Sequence, residues 1–232
     1  MQRFRDEPAS FRLRMPSNPM EKPMHIVLYG ATGKAGSRIL AELLSRGHRV
    51  TAIARHPDKL APQPNLTVEQ GSVDSASAIA AGIKGADAVV SAYAPPFSDT
   101  DQLLAVTRNF IEAVEQAHVP RFLYVGGASS LEVASGLLLF DTESFPAEWK
   151  AIGRSHRDAL ALVKRSGINW TCFSPAAFFE PGQRTGKFRL GKDHLISDAE
   201  GNSRISMEDY AIALVDELEK PQHERQRFTI GY

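Results

Sequence analysis

The chain has 232 residues, which suits one α/β domain with a long C-terminal part. Its 27 basic and 27 acidic residues cancel, so the net charge indicates neither nucleic acid nor an anionic membrane as a partner. Cys172 is the only cysteine, which excludes a disulfide within the chain, and since no apolar run reaches the length of a membrane span we expect a cytoplasmic protein.

The first residues, 1–23, are predicted to form a flexible N-terminal tail. They are rich in Arg and Pro, but Asp6, Glu7 and Glu21 argue against a transit peptide, and they contain no apolar signal core. The folded domain is then expected to occupy residues 24–232. Its last part, from about residue 175, is expected to form a small cap.

An apolar run, His25-Ile-Val-Leu-Tyr29, leads directly into glycines at 30, 33 and 36 and a helical pattern over residues 34–46. Strand, glycine turn and helix in this order are typical of a dinucleotide-binding corner. Gly30 lets the backbone leave the strand sharply, Gly33 lets a pyrophosphate approach, and Gly36 lets the helix lie against the sheet. The start of the helix then favours phosphate groups. The alternative is a tight βα turn without a ligand.

Strands and helices alternate along the rest of the chain. Strands are predicted at 49–55, 66–70, 86–93, 121–125 and 170–173, and helices at about 75–83, 101–117 and 147–166. Short strands near 187–190 and 194–197, a helix that a capping box opens at Ser206 and that runs to about Glu219, and a strand at 227–231 follow. This alternation predicts an α/β fold with a doubly wound parallel sheet, whose small C-terminal cap covers the cleft at the carboxyl ends of the strands.

The end of the second strand indicates which cofactor the cleft takes. An NAD-preferring pocket has an acid there, whereas this strand ends in Ala54-Arg55-His56. A guanidinium binds a 2′-phosphate through two hydrogen bonds, and Lys34 adds a second positive charge. We therefore predict NADP(H) as the cofactor. The alternative is that Arg55 and Lys34 are ordinary solvated residues.

These features together resemble the short-chain dehydrogenase/reductase superfamily. They are most similar to its atypical, NmrA-like and NAD(P)H-binding-reductase branch, which includes flavin and biliverdin reductases. The resemblance covers residues from about 24 to 230 and implies a Rossmann-type fold. It is carried by the glycine turn, Gly71-Ser-Val-Asp74, Ala86-Asp-Ala-Val-Val, Val125-Gly-Gly-Ala-Ser-Ser130, Gly167-Ile-Asn-Trp-Thr-Cys-Phe-Ser-Pro-Ala-Ala-Phe and Ile205-Ser-x-x-Asp209-x-Ala211.

The resemblance also implies which residues hold the cofactor. Arg55 would bind the 2′-phosphate, and Ser72 stands where many relatives have an Asp that accepts from the adenine amine. The other implied residues are Gly30, Ala31, Thr32, Gly33, Lys34, Ala35 and Gly36 at the pyrophosphate, Val73 beside adenine, Ser91, Ala92 and Tyr93 at the nicotinamide ribose, and Gly127, Ser174 and Ala176 near the nicotinamide.

Typical members of the superfamily use a Tyr and a Lys four residues apart on the long helix, and here these positions hold Ile152 and His156. A histidine has a pKa suited to proton exchange at neutral pH. Serines after the fifth strand often orient the substrate in the superfamily. His156, Ser129 and Ser130 are therefore the candidate catalytic residues, with packing and loop capping as the alternatives. The remaining histidines show no metal-ligand spacing, so no metal is predicted.

The function that we expect is NADPH-dependent reduction of a small conjugated acceptor: a flavin, a quinone or a carbonyl compound. A flat acceptor needs less protein acid than a ketone, so the absent Tyr favours flavins and quinones. The second hypothesis is a non-catalytic NADP(H) sensor that binds another protein, and the third is an epimerase or dehydratase. A homodimer remains open.

Two stretches of the cap are further candidates for contacts with ligands. The basic residues Arg184, Lys187 and Arg189 would contact an acidic substrate or partner, with a solvated loop as the default interpretation. The neighbouring aromatic residues Phe178 and Phe179 would form an apolar substrate wall, with core packing as the alternative.

Overall fold

The computed structural model describes residues 22–232, so the predicted flexible tail lies outside the described residues except for its last two positions. The helices are α1 (Lys34–Ser45), α2 (Ala76–Ile83), α3 (Gln102–Ala117), α4 (Lys150–Lys164) and α5 (Met207–Glu219). The strands are β1 (His25–Tyr29), β2 (Arg49–Ala54), β3 (Leu66–Gln70), β4 (Ala88–Ser91), β5 (Phe122–Val125), β6 (Glu132–Ala134), β7 (Leu137–Leu138), β8 (Trp170–Ser174), β9 (Phe178–Glu180), β10 (Arg189–Gly191), β11 (Arg204–Ser206) and β12 (Gln226–Gly231).

Eight strands form the main sheet in the order β10-β12-β8-β5-β4-β1-β2-β3. Neighbouring strands run parallel throughout this sheet, except that β10 pairs antiparallel with β12 at one edge. The strand order reverses at β1, which lies between β2 and β4. In open α/β sheets a ligand cleft forms at such a point, outside the carboxyl ends of the strands. The predicted doubly wound parallel sheet is confirmed.

The two faces of the sheet bury two separate cores, as the alternation along β1 shows. Ile26 and Leu28 pack on the face that α1 and α5 cover. Val27 and Tyr29 pack on the opposite face, under α2, α3 and α4. Successive side chains of a strand point to opposite faces, so a continuous apolar run indicates a strand that is buried on both sides.

The C-terminal part of the chain is tied to the main sheet by stacked aromatic rings. The ring of Phe173 on β8 lies 4.0 Å from the ring of Tyr210 on α5 and 4.0 Å from that of Phe228 on β12. The Tyr210 hydroxyl donates a hydrogen bond of 2.7 Å to the Phe173 carbonyl. The region from about residue 175 therefore supplies two strands, β10 and β12, to the main sheet and a helix to one of its faces.

Several predicted boundaries need correction. The predicted strand at 194–197 is wrong, because His194 forms a single isolated bridge with Glu132 and no ladder follows it. The fourth strand is shorter than predicted, since the Ala86 N–H donates to the Ile83 carbonyl in a turn before β4 begins. The long helix begins later, because Ala147–Trp149 is a 3₁₀ turn. Within the described residues no helix is both long and apolar enough to cross a bilayer.

Candidate functional site

The turn between β1 and α1 has no room for side chains at two of its glycines. Gly30 has a φ of +81°, and a Cβ there would lie 2.4 Å from the carbonyl oxygen of Ala92, which directly follows β4, the strand beside β1. A Cβ on Gly36 would lie 2.0 Å from the Gly30 carbonyl oxygen. Both distances are far below van der Waals contact with rigid backbone. The turn is therefore closed as the glycine spacing predicts, with α1 held directly against the end of β1.

The N-terminus of α1 carries no capping group of its own. The N-cap residue is Gly33, no side chain caps the first turn, and no acidic residue lies in that turn. Lys34, the first helical residue, is exposed. The free N–H groups and the positive end of the helix dipole remain uncompensated, which makes this end of the helix suited to an anion such as a phosphate.

A cleft opens at the carboxyl ends of the strands beside this turn. Eight of the residues predicted to hold the cofactor line it together: Gly30, Thr32, Gly33, Arg55, Ser72, Val73, Ala92 and Tyr93. It is also lined by Tyr29, Ile53, Ala54 and Gly71, which the sequence analysis did not assign to the cofactor, and by Ala94, which follows the predicted Tyr93. Four of these five residues directly adjoin a predicted cofactor residue in the sequence, and Ile53 lies two positions before Arg55. Extending each motif to include the end of the adjoining strand would have included all five.

Arg55 is the charged side chain of this cleft. It is exposed and makes no hydrogen bond or ion pair with any residue from 22 to 232. It lies close to Tyr93: burial raises the pKa of Tyr93, and the positive charge of Arg55 partly counteracts that rise. The Tyr93 hydroxyl donates to Gln102 at 3.1 Å, which holds the ring at the edge of the cleft. The Arg55 guanidinium is thus free to bind an anion.

The other predicted cofactor residues do not line this cleft. Ala31 is buried behind the turn, and Lys34, Ala35 and Gly36 begin α1. Ser91, Ser174 and Ala176 are buried, and Gly127 is half-buried beside His156. Their contacts with a cofactor stay predictions.

His156 lies where the predicted nicotinamide end of the site is expected. Its ring packs against Gly127, just after β5, where a Cβ would lie 2.8 Å from the imidazole Cγ. Its Nδ1 is buried and has no hydrogen-bond partner among the described residues. Burial lowers the pKa of His156 to about 4. The imidazole is therefore uncharged near pH 7. The sequence analysis proposed His156 because an ordinary histidine exchanges protons near neutral pH, and the lowered pKa removes that reason. Its catalytic role stays a prediction.

The two candidate serines support the loop that follows β5. The Ser129 hydroxyl donates to the Gly153 carbonyl on α4 at 2.8 Å. The Ser130 hydroxyl accepts from the Arg227 guanidinium at 2.8 Å, and Arg227 also pairs with Asp193. Both serines are buried. These bonds fit the loop-capping alternative, and the site role of the two serines stays a prediction.

Most of the basic stretch of the cap is paired within the chain. Arg184 donates two hydrogen bonds to the Glu42 carboxylate, at 2.9 and 2.8 Å. Arg189 donates to the carbonyls of Ser197 and Tyr232. Lys187 is exposed. The predicted contact with an acidic substrate or partner is left mainly to Lys187.

The two aromatic residues of the cap differ in their surroundings. Phe179 packs on Tyr210 with ring centroids 4.7 Å apart, whereas Phe178 is 57% exposed.

Among residues 22–232, no group of three or more His, Cys, Asp or Glu side chains is arranged to hold a metal ion.

Comparisons with known proteins agree with this geometry. The model of the NAD(P)H-binding family matches residues 30–221. The chain is 42% identical over 211 residues to the uncharacterized protein YwnB of Bacillus subtilis, an alignment that covers 89% of this chain and 98% of YwnB.

Two solved structures are similar over almost the whole length of both chains. A Bacteroides thetaiotaomicron protein, provisionally named an epimerase, has 46% identity and a TM-score of 0.85, with 91% of this chain and 98% of that chain covered. A Streptococcus pneumoniae protein, provisionally named an NADH-flavin reductase, has 32% identity and a TM-score of 0.81, with 90% and 99% covered.

Proposed function

The chain belongs to the NAD(P)H-binding family, within the atypical, NmrA-like short-chain dehydrogenases/reductases, and from this premise we propose that it is an NADPH-dependent reductase of a small planar, conjugated acceptor. One observation carries the proposal: the unpaired Arg55 guanidinium shares a cleft with the glycine turn and lies at the end of the strand that follows it. Membership of the family supports a nucleotide-binding oxidoreductase, and we add the preference for NADPH and for a planar acceptor.

The residues present fit a phosphorylated dinucleotide. The turn at Gly30 and Gly33 and the uncapped start of α1 would hold the diphosphate. Arg55 would hold the adenosine 2′-phosphate, because a guanidinium can donate two parallel hydrogen bonds to it. β2 ends in Ala54, followed by Arg55 and His56, so no carboxylate stands there to repel that phosphate. These features favour NADPH over NADH.

The chain's own residues determine which acceptors suit the site. NADPH supplies a hydride when bound, and the protein contributes binding, orientation and placement of protons. Ile152 has no proton to donate where relatives have a Tyr. His156 is uncharged near pH 7, so it can offer one N–H but not the positive charge of a Lys. A site with so little acid catalysis favours acceptors that stabilise the incoming charge by conjugation, which are flavins and quinones rather than isolated ketones.

The proposal is tested by following NADPH oxidation at 340 nm with riboflavin, 1,4-naphthoquinone and an aliphatic ketone as acceptors. We expect turnover with riboflavin or the quinone, at a kcat/KM at least about tenfold above that for the ketone. Titration calorimetry of NADPH into the same preparation shows that the protein is competent to bind. Binding of NADPH without oxidation by any acceptor would contradict the reductase assignment.

A non-catalytic sensor is the second candidate, and the replacement of the Tyr and Lys by Ile152 and His156 favours it. It predicts NADPH binding without turnover and a protein partner recovered in only one cofactor state. The name of the Bacteroides thetaiotaomicron relative keeps an epimerase as a third candidate. Epimerases of the short-chain dehydrogenase/reductase superfamily use the same Tyr and Lys. The absence of these two residues here weighs against an epimerase.

A further inference from the structure

We propose that Phe97 and Trp149 together form the docking surface for the planar acceptor, an inference that rests on the reductase function proposed above. Phe97 lies in the loop between β4 and α3, and Trp149 ends the 3₁₀ turn that leads into α4. Their ring centroids are 5.1 Å apart, with an angle of 77° between the rings. We call these two side chains the aromatic pair.

The aromatic pair is exposed where large rings are normally buried. Phe97 is 66% exposed and Trp149 47%, whereas Trp170, Phe110 and Phe173 are at most 3% exposed. Single exposed apolar residues are common on protein surfaces and need no explanation. Two rings from segments 52 positions apart that meet in solvent form a preassembled apolar surface. Such a surface is stabilised further when a ligand covers it.

The position of the aromatic pair relates it to the reactive end of the site. Phe97 follows Ala94, which lines the cofactor cleft, by three residues. Trp149 immediately precedes α4, and His156 follows it by seven residues, about 10 Å along the helix axis. His156 itself packs against Gly127 at the end of β5. The pair is therefore connected along the chain to the cleft at Ala94 and to α4, the helix that carries His156.

The chemistry of the aromatic pair selects a flat, uncharged ring system. Edge-to-face contact leaves a ring face of the pair open for offset stacking with a ligand. The neighbouring cation Lys150 is turned away, because its Nζ donates to the Phe140 carbonyl at 2.8 Å and lies over the Phe140 ring. The surface thus offers π-faces rather than a charge. An isoalloxazine or naphthoquinone ring fits this surface, whereas a small aliphatic ketone has no face to stack.

Steady-state kinetics test this surface with a matched control. Phe97→Ala and Trp149→Ala are expected to raise the KM for 1,4-naphthoquinone or riboflavin about tenfold each, with the Kd for NADPH unchanged within twofold. Leu190→Ala is the control, because Leu190 is also a large exposed apolar side chain (51%) but lies on β10, the edge strand of the main sheet. Its KM should stay at the wild-type value. Unchanged KM values in both pair variants would overturn the proposal.

A spectroscopic readout tests the surface without turnover. The chain has 2 tryptophans, so 5-fluorotryptophan labelling gives two ¹⁹F resonances, which Trp149→Phe assigns. We expect 1,4-naphthoquinone, added to the protein with NADP⁺ present, to shift the resonance of exposed Trp149 and leave that of buried Trp170 in place. An enzyme that reduces the quinone while the Trp149 resonance stays unmoved overturns the docking surface and leaves the reductase assignment standing. Failure of every acceptor to oxidise NADPH instead overturns the reductase assignment.

Discussion

At Gly30 a missing side chain decides how β1 turns into α1. A Cβ there would meet the backbone of Ala92, and the φ of +81° also disfavours any L side chain. Gly47, which follows α1, has nearly the same φ of +80° but nothing within 4 Å of its Cβ position. The two glycines share the conformational penalty and differ in the steric one.

We therefore expect Gly47→Ala to lower the free energy of unfolding by about 1 to 2 kcal/mol, from left-handed backbone strain alone. Gly30→Ala should cost at least about 2 kcal/mol more, because backbone has to move to admit the methyl group. Urea unfolding of the two variants and the wild type measures both values. Equal losses at the two positions would show that the turn is looser than the structure has it.

His156 gives a residue-level prediction about pH. Its pKa is lowered to about 4 in the folded protein, while the unfolded chain binds a proton near pH 6.5. Between these two values the unfolded state binds more protons, so stability falls as the pH falls. The wild type should lose up to about 3 kcal/mol between pH 7 and pH 4 relative to His156→Asn, whose side chain does not titrate. Urea unfolding across this range checks it, and parallel pH profiles for the two proteins would contradict a buried imidazole.

Among the elements, α5 is attached to the segment at 185–186 and to Tyr232 through Asp209 in its first turn. One carboxylate oxygen accepts from the backbone N–H groups of Thr185 and Gly186, at 2.7 and 2.8 Å. The other accepts from the hydroxyls of Thr185 and Tyr232, at 2.5 and 2.8 Å. Burial alone raises the pKa of Asp209, but these hydrogen bonds outweigh it and the pKa is lowered.

Asp209→Asn should destabilise the protein by about 2 to 4 kcal/mol near pH 7, since one acceptor oxygen becomes an NH₂ group that faces donors. Because the folded pKa is below the ordinary value of about 3.9, the stabilisation is complete above that value and is lost as the pH falls further. The gap in unfolding free energy between wild type and variant should therefore shrink below about pH 4. A gap that is constant down to pH 2.5 would argue against a charged Asp209.

Elements with a local pattern were predictable, and those that depend on distant partners were not. The capping box at Ser206 predicts the start of α5, and the Ser206 hydroxyl does accept from the Asp209 N–H at 3.0 Å. In contrast, β9 exists through its pairing with β11, about 25 residues further along the chain. The β6–β7 hairpin, which the sequence analysis missed, is held at Glu132 by the segment at 193–195. Short strands of this kind carry no periodicity of their own.

For the whole molecule, the strand order explains why one part of the site was predictable. Residues 30–33, 55, 72–73 and 92–93 each follow a parallel strand, so they meet at one edge of the sheet. The contact of the aromatic pair was not predicted, because Phe97 lies in a loop and Trp149 in a 3₁₀ turn, and no pattern in the sequence encodes their approach. The low pKa of His156 likewise depends on burial of the imidazole in the folded chain, which its position in the sequence does not reveal.

The affinities of NADPH and NADH for the wild type, Arg55→Ala and Arg49→Ala test the central claim most directly. Arg49 is also exposed but begins β2, at the end of the strand away from the cleft, so it controls for loss of a surface charge. Calorimetry should show NADPH bound at least about tenfold more tightly than NADH by the wild type and by Arg49→Ala. Arg55→Ala should lose that preference while its Kd for NADH stays within twofold. Equal affinities of the wild type for the two cofactors would contradict the account.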